Sequence, residues 1–353
     1  MSTEPPAKRQ RTEDDTDTTS NEDDSPQKSY LWFEDGNVVF QAEKTLFRVH
    51  KTVLALHSEF FADMFSICQP PSDDGSQPMF EVGCPLIWVS DSAEDLECLL
   101  SNIYENQKKY DLRQKIEVKR AVALYRLGNK YGIDYLRDEI EQRLKIAFPS
   151  TLREFEQIRG LKLVEGISPD LLQFIHDRKF LIHPFPHLLL KELILLANLA
   201  HQFNIKVVLP AIYATLSLFS NAVLLQFRDG KNTALNPEVL DTCLIGKEKL
   251  VFAIHKAISL RVGSCSPFRP CDRLPRCATT TSDILLRIGT TACHKEGIRC
   301  FSVDKFVDSS GVCEKCMKTV LTQDYEPIRQ ELWDKLPSYF GLPTWEELKS
   351  STS

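Results

Sequence analysis

No apolar run in this 353-residue chain is long enough to cross a bilayer. The best stretch, Leu188 to Leu199, is interrupted early by Lys191 and Glu192. It falls well short of the ~20 apolar residues that a span needs. The first 29 residues are almost entirely polar and hold no leader-type apolar core. A soluble intracellular chain, cytoplasmic and/or nuclear, with no membrane partner is therefore expected. Charge of one sign is also scarce. Net charge is −6, and residues 1–29 carry −4 of it through eight acidic and four basic side chains. The nearly neutral body has no broad field for gathering phosphate backbones, so bulk nucleic-acid binding is not expected. Catalytic patterns are missing as well: there is no Gly-rich phosphate loop, no His-Glu-x-x-His and no Gly-x-Ser-x-Gly. Asp/Glu pairs fall on polar helix faces or in the tail. No enzyme is expected, and no repeat of constant period occurs.

With 42% hydrophobic and 26% charged residues, the chain reads as an ordinary globular protein. At roughly 100–200 residues per domain, two or three units are expected. Residues 1–29 lack apolar periodicity and are rich in Ser, Thr, Asp and Pro. Such a tail cannot bury enough surface to order itself, so it is expected to be disordered and dispensable for folding. Within it, Lys8-Arg9-Gln10-Arg11 has two readings, a nuclear import signal or a solvated charge run.

The most informative stretch runs from Thr45 to Phe65. Leu46, Phe47 and Val49 fit a short strand, after which the period changes. Val53/Leu54, His57, Phe60/Phe61 and Met64/Phe65 recur every three to four residues, which lines one helical face with apolar groups. Upstream, Leu31-Trp32-Phe33, an Asp35-Gly36 turn and alternating Val38 and Phe40 predict a hairpin. Downstream, Leu86 to Val89 predicts a buried strand. Ser92 with Asp95 predicts a capped helix carrying Leu96, Leu99, Leu100, Ile103 and Tyr104. Val118, Ala121, Val122 and Tyr125 mark the next helix, which Gly132 is placed to close in the left-handed conformation. Ile133, Leu136, Ile140 and Leu144 carry a further helix to Pro149. Beyond it, helices are predicted at Thr151/Glu154, at Ser168-Pro169, along Leu188 to Phe203, from Asn236-Pro237, and separately through Leu250, Ile254 and Ile258. A last pair holds Ile328, Leu332 and Leu336 and a closing Thr344/Glu347 capping box. His50 and His57 are expected to serve packing or capping.

His50-Lys51, Val53-Leu54-Ala55, Ser58, Phe60-Phe61 and Met64-Phe65 stand at the spacing of the BTB/POZ fold, which this stretch closely resembles. The segment Ala-Leu-Tyr-Arg-Leu-Gly-Asn-Lys-Tyr-Gly from Ala123 is similar too. The opening Leu31-Trp-Phe-Glu-Asp-Gly-Asn-Val and the ending from Trp333 to Leu348 resemble fungal BTB proteins with a helical, Cys-containing C-terminal extension. The resemblance implies an α+β BTB/POZ domain over residues 30–148, a helical region over 149–260, and a Cys-rich segment with C-terminal helices over 261–353. It also implies a protein-docking module. Such domains self-associate or dock on a cullin scaffold so that the remainder presents a substrate for ubiquitination. Cullin-binding members often carry a hydrophobic-x-Glu triplet after the signature helix; Met79-Phe80-Glu81 matches it, and a strand edge is the competing reading. The polar tail offers no swapping N-terminal helix, so obligate swapped dimers are not expected. Neither Kelch repeats nor a finger array follows. The alternative function is a nuclear transcription or chromatin regulator that assembles through the same domain.

Eleven cysteines without a leader argue for reduced thiols. Seven of them fall between Cys265 and Cys316, with His294 among them. Cys313-x2-Cys316 has the spacing that lets two thiolates share a tetrahedral zinc, and Cys271-x5-Cys277 supplies a looser second pair. Four protein ligands would close the site, so this one zinc would be structural. Unligated buried thiols and redox pairing are the competing readings. A metal hydrolase would need an open zinc position and a general base, and the spacing shows neither. Residues 261–300 carry a local charge excess of +4, but the common two-Cys-two-His finger spacing is absent.

Overall fold

The structure, a computed structural model, describes residues 25–67, 79–81, 84–105, 115–160, 189–228, 233–262, 271 and 325–351, with backbone alone at 79–81, 157–160 and 262. Five strands form one mixed sheet: β1 (Gln27–Trp32), β2 (Val38–Ala42), β3 (Thr45–Val49), β4 (Met79–Glu81) and β5 (Cys84–Val89). Their order is β1-β3-β2-β5-β4. The expected hairpin through Asp35-Gly36 is not made. β1 runs parallel to β3 instead, and the hairpin joins β2 to β3 through Glu43-Lys44. Glu43 takes φ +50° in that turn, a conformation whose usual sequence signal is Gly or Asn. β1 also starts inside the segment expected to be tail, since the Gln27 amide donates to the Lys44 carbonyl at 2.7 Å.

The signature forms two helices where the apolar period predicts one. These are α1 (Lys51–His57) and α2 (Glu59–Ser66). Ser58 separates them with an extended backbone, φ −149° and ψ 120°. Its hydroxyl accepts from the Phe61 amide, capping α2, and donates to the Tyr131 carbonyl. A residue bonded on both sides in this way stays out of the helix.

The next three helices follow their sequence punctuation. The Ser92 hydroxyl accepts from the Asp95 amide at 3.2 Å and caps α3 (Ala93–Glu105). Gly132, at φ +63°, ends α4 (Val118–Lys130), and α5 (Asp134–Ala147) follows. The C-terminal region is helical as expected. It comprises α6 (Leu152–Gly160), α7 (Leu190–Gln202), a 3-10 turn (Lys206–Val208), α8 (Leu209–Leu216), α9 (Asn221–Leu225), α10 (Pro237–Val262), α11 (Glu326–Asp334), α12 (Leu336–Tyr339) and α13 (Trp345–Ser350). The two helices expected between residues 236 and 258 are the single helix α10. Ser168-Pro169 lies outside the described residues.

Apolar burial divides into two large cores, and α4 stands between them. One side of α4 sends Leu124 and Leu127 into the core formed by the inner sheet face and α1–α3. Its other side sends Val118, Ala121 and Tyr125 into a second core that continues through α5, α7, α8 and α10 to Leu348. The apolar packing therefore runs straight across residue 148, where the resemblance placed a boundary. Distant hydrogen bonds hold the C-terminal side of that line together. The Trp333 indole donates to the Ser150 carbonyl at 3.1 Å, and the Trp345 indole donates to the Trp333 carbonyl at 2.8 Å. Buried charges in this region are paired: Arg143 with Glu139 at 2.6 Å, and Arg329 with Glu326 and Glu156. A third, small cluster of Val39, Leu46 and Cys84 with Trp32 and Leu86 lies on the outer sheet face.

Candidate functional site

The signature helices turn one side inward and the other toward solvent. Leu54 and Phe61 are fully buried, and the Phe61 ring stacks on Tyr131 with centroids 4.8 Å apart. Leu56 is 85% exposed, Phe60 46% and Ile67 67%. Three large exposed apolar side chains thus stand on or at the end of one short helix pair. Scattered single apolar groups are normal at a surface, but several on one element mark a contact area. Phe60 is held from behind by an edge-to-face contact with Phe61 at 5.6 Å and a tilted contact with Tyr131 at 5.5 Å. An aromatic already fixed in its rotamer loses little entropy on docking.

The platform beneath is fixed by polar contacts from distant parts of the chain. Asp91 receives the Tyr131 hydroxyl and, at 2.7 Å, the Lys130 ammonium. Burial and then this carboxylate push the Tyr131 phenol far above its ordinary range, so it stays a donor at any physiological pH. His57 shares a 3.0 Å hydrogen bond with the Tyr135 hydroxyl. His50 meets the Tyr104 hydroxyl at 3.2 Å through Nδ1 and Asp35 at 3.2 Å through Nε2. Burial raises the Tyr104 phenol also. In place of a cap from His50 itself, the Lys51 amide donates to the Asn37 side chain at 2.8 Å. Both histidines are thus structural fasteners, as their place in the signature implies. Tyr104, Asp91 and Tyr131 were not singled out as partners, because contacts across 40 to 54 positions leave no local spacing to read.

Met79, Phe80 and Glu81 form the edge strand β4, which favours the strand reading of that triplet; their side chains lie outside the description. Of the four expected zinc ligands, Cys271 is partly buried, while Cys277, Cys313 and Cys316 lie outside the described residues. Among the described residues no cluster of three or more His, Cys, Asp or Glu side chains is arranged to hold a metal. Burial pushes Cys98 up to about 11 and Cys243 higher still. A shallow cleft of about 340 Å³ opens between α5 and α13, lined by Lys145, Phe148, Ser150, Glu154, Val207 and Lys349 among others. Of its polar lining, the Glu154 carboxylate accepts from the Thr151 hydroxyl at 2.6 Å, and the Ser150 carbonyl accepts from the Trp333 indole. No described helix is long and apolar enough to cross a membrane.

A mixed sheet backed by α1–α4, with apolar side chains presented outward from a rigid helix pair, defines a protein-association domain. Residues 33–146 match the sequence profile of the BTB/POZ domain, and this part of the chain is a BTB/POZ domain. No curated protein and no solved structure matches the chain.

Proposed function

We propose that the chain is a substrate adaptor that docks on a cullin-type scaffold through the outer side of α1 and α2. Solvent exposure of Leu56, Phe60 and Ile67 on a platform fixed by Ser58 and Tyr131 is the observation that carries this reading. The helices beyond residue 149 share a core with α4 and α5, so whatever they hold would be carried rigidly by the docking domain. Affinity purification from native cells, scored for co-purifying cullin, tests the reading. Wild-type chain should bring the cullin down, and Leu56→Glu with Phe60→Glu should lose it at unchanged melting temperature. Absence of cullin from both preparations sinks the adaptor role. A halving of solution mass in the double variant would assign the patch to self-association instead.

The alternative, a nuclear regulator, draws support from the basic cluster Lys8-Arg9-Gln10-Arg11 and the +4 excess over residues 261–300. Salt-dependent retention on DNA together with nuclear accumulation would favour it. For the Cys-rich segment we propose one structural zinc on Cys271, Cys277, Cys313 and Cys316, supported by spacing alone. Elemental analysis of protein purified without added metal checks this, and a zinc content near zero would remove it.

A further inference from the structure

The outer face of the sheet is the second feature of the BTB/POZ domain that asks for a partner. Strand register sets its side chains in two rows. Lys28, Leu46, Gln41 and Trp88 lie opposite one another across β1, β3, β2 and β5. Trp32, Arg48, Val39 and Leu86 form the adjacent row. Alternation puts Phe47, Val38 and Phe40 on the other side, in the helix-covered core. The apolar cluster on the outer face is built from strand residues among its described members, and Val39, Leu46 and Cys84 in it are buried, so the exposed part of the face is its rim at Lys28 and Trp88. Trp88 remains 61% exposed, its indole N–H donating to Gln41 at 3.0 Å. The Lys28 ammonium stands 4.3 Å from the Trp32 ring centroid, and the Arg48 guanidinium stands 5.9 Å from it. The face therefore combines two tryptophans with cationic groups. The nearby acid Glu43 is directed away, accepting from the Ala93 amide at the start of α3.

The chain itself carries a segment of opposite chemistry at the edge of this face. Glu13, Asp14, Asp15, Asp17, Glu22, Asp23 and Asp24 stand together with no basic residue between them. This run leads directly into β1, whose Lys28 opens the first row. Strands lie about 4.8 Å apart, so β1 to β5 measures roughly 15 Å. Ten extended residues reach about 33 Å, more than enough to cross all four strands. Tethering gives such a segment an effective concentration of order millimolar, so weak contacts suffice. A segment unable to build a core of its own can still settle on a surface of opposite charge.

We propose that the acidic segment 13–24 docks across the outer face of its own sheet, with carboxylates toward Lys28 and its backbone covering Trp88. The domain would then keep its aromatic sheet face occupied until a more strongly acidic partner displaces the segment.

Acrylamide quenching on the full chain tests this, with the Trp88 contribution taken as the difference from a Trp88→Phe chain. The comparison variant carries Glu13→Gln, Asp14→Asn, Asp15→Asn, Asp17→Asn, Glu22→Gln, Asp23→Asn and Asp24→Asn. In that variant, and in wild type at about 0.5 M salt where screening acts within ~4 Å, Trp88 quenching should rise roughly twofold. Lys28→Glu, which reverses charge beneath the segment, should give the same loss of protection at unchanged melting temperature. Equal quenching in all four samples overturns the proposal. Protection that disappears on dilution at constant salt also overturns it, because the covering segment would then belong to a second copy.

Discussion

Phe61 joins the two helices of the signature to the sheet. Its ring lies against Phe40, Phe65 and Tyr131 and is 2% exposed. Truncation to alanine leaves a cavity in a packed core, and Phe61→Ala should cost about 3–5 kcal/mol in a urea denaturation series. A loss under ~1 kcal/mol would mean that the site collapses around the missing ring. Its neighbour Phe60 should behave differently, since removal of a half-exposed ring mainly affects partner binding. This contrast was partly legible in the sequence, where both residues fall on the apolar repeat. What separates them is Ser58, whose second hydrogen-bond partner is 73 positions away. No local pattern announces a helix break made by a contact so distant.

The longest element, α10, shows the same limit from the other direction. Gly246 sits within it, and a side chain there would come within 2.1 Å of the Phe340 ring. Phe340 is itself buried and 5.2 Å from the Tyr213 ring, so it has little room to yield. Gly246→Ala should gain ~1 kcal/mol of helix propensity yet lose more through overpacking of about 1–3 kcal/mol. Thermal melts should show net destabilisation, and pairing the change with Phe340→Leu should recover part of it. A melting temperature raised by Gly246→Ala alone would contradict the close approach. Capped ends were readable from sequence: Ser92, Gly132 and the Thr344/Glu347 box all act as their local chemistry dictates. Pairing of strands was not. The Asp35-Gly36 dipeptide looks like a hairpin turn but links two strands that are not neighbours, while the actual turn uses Glu43-Lys44. Turn residues specify local backbone; which strand lies alongside which is decided by inner-face packing of Val38, Phe40, Phe47 and Val49.

Across the whole molecule the shared wall α4–α5 binds the BTB/POZ domain to the C-terminal helices. Val118, Ala121, Tyr125, Ile140, Leu144 and Ala147 all face the second core, which closes on Trp333, Trp345 and Leu348. Ending the chain at residue 148 would uncover these side chains, and such a fragment should aggregate or melt well below the full chain. Light scattering and calorimetry check this. A fragment that stays monomeric and melts with the full chain would show that the wall is a simple abutment. The resemblance to the BTB/POZ fold made the first core legible, because strand and helix periods there match a known order. The second core was visible only as separate helical stripes, since nothing in one stripe says which other stripe it meets. The Trp333 indole and the Ser150 carbonyl are 183 positions apart. At synthesis rates of about 5–20 residues per second, the ribosome delivers Trp333 roughly 10–40 s after Ser150. For that interval the newborn BTB/POZ domain must hold its far wall open, which makes the nascent chain, rather than the finished protein, the form most in need of a chaperone.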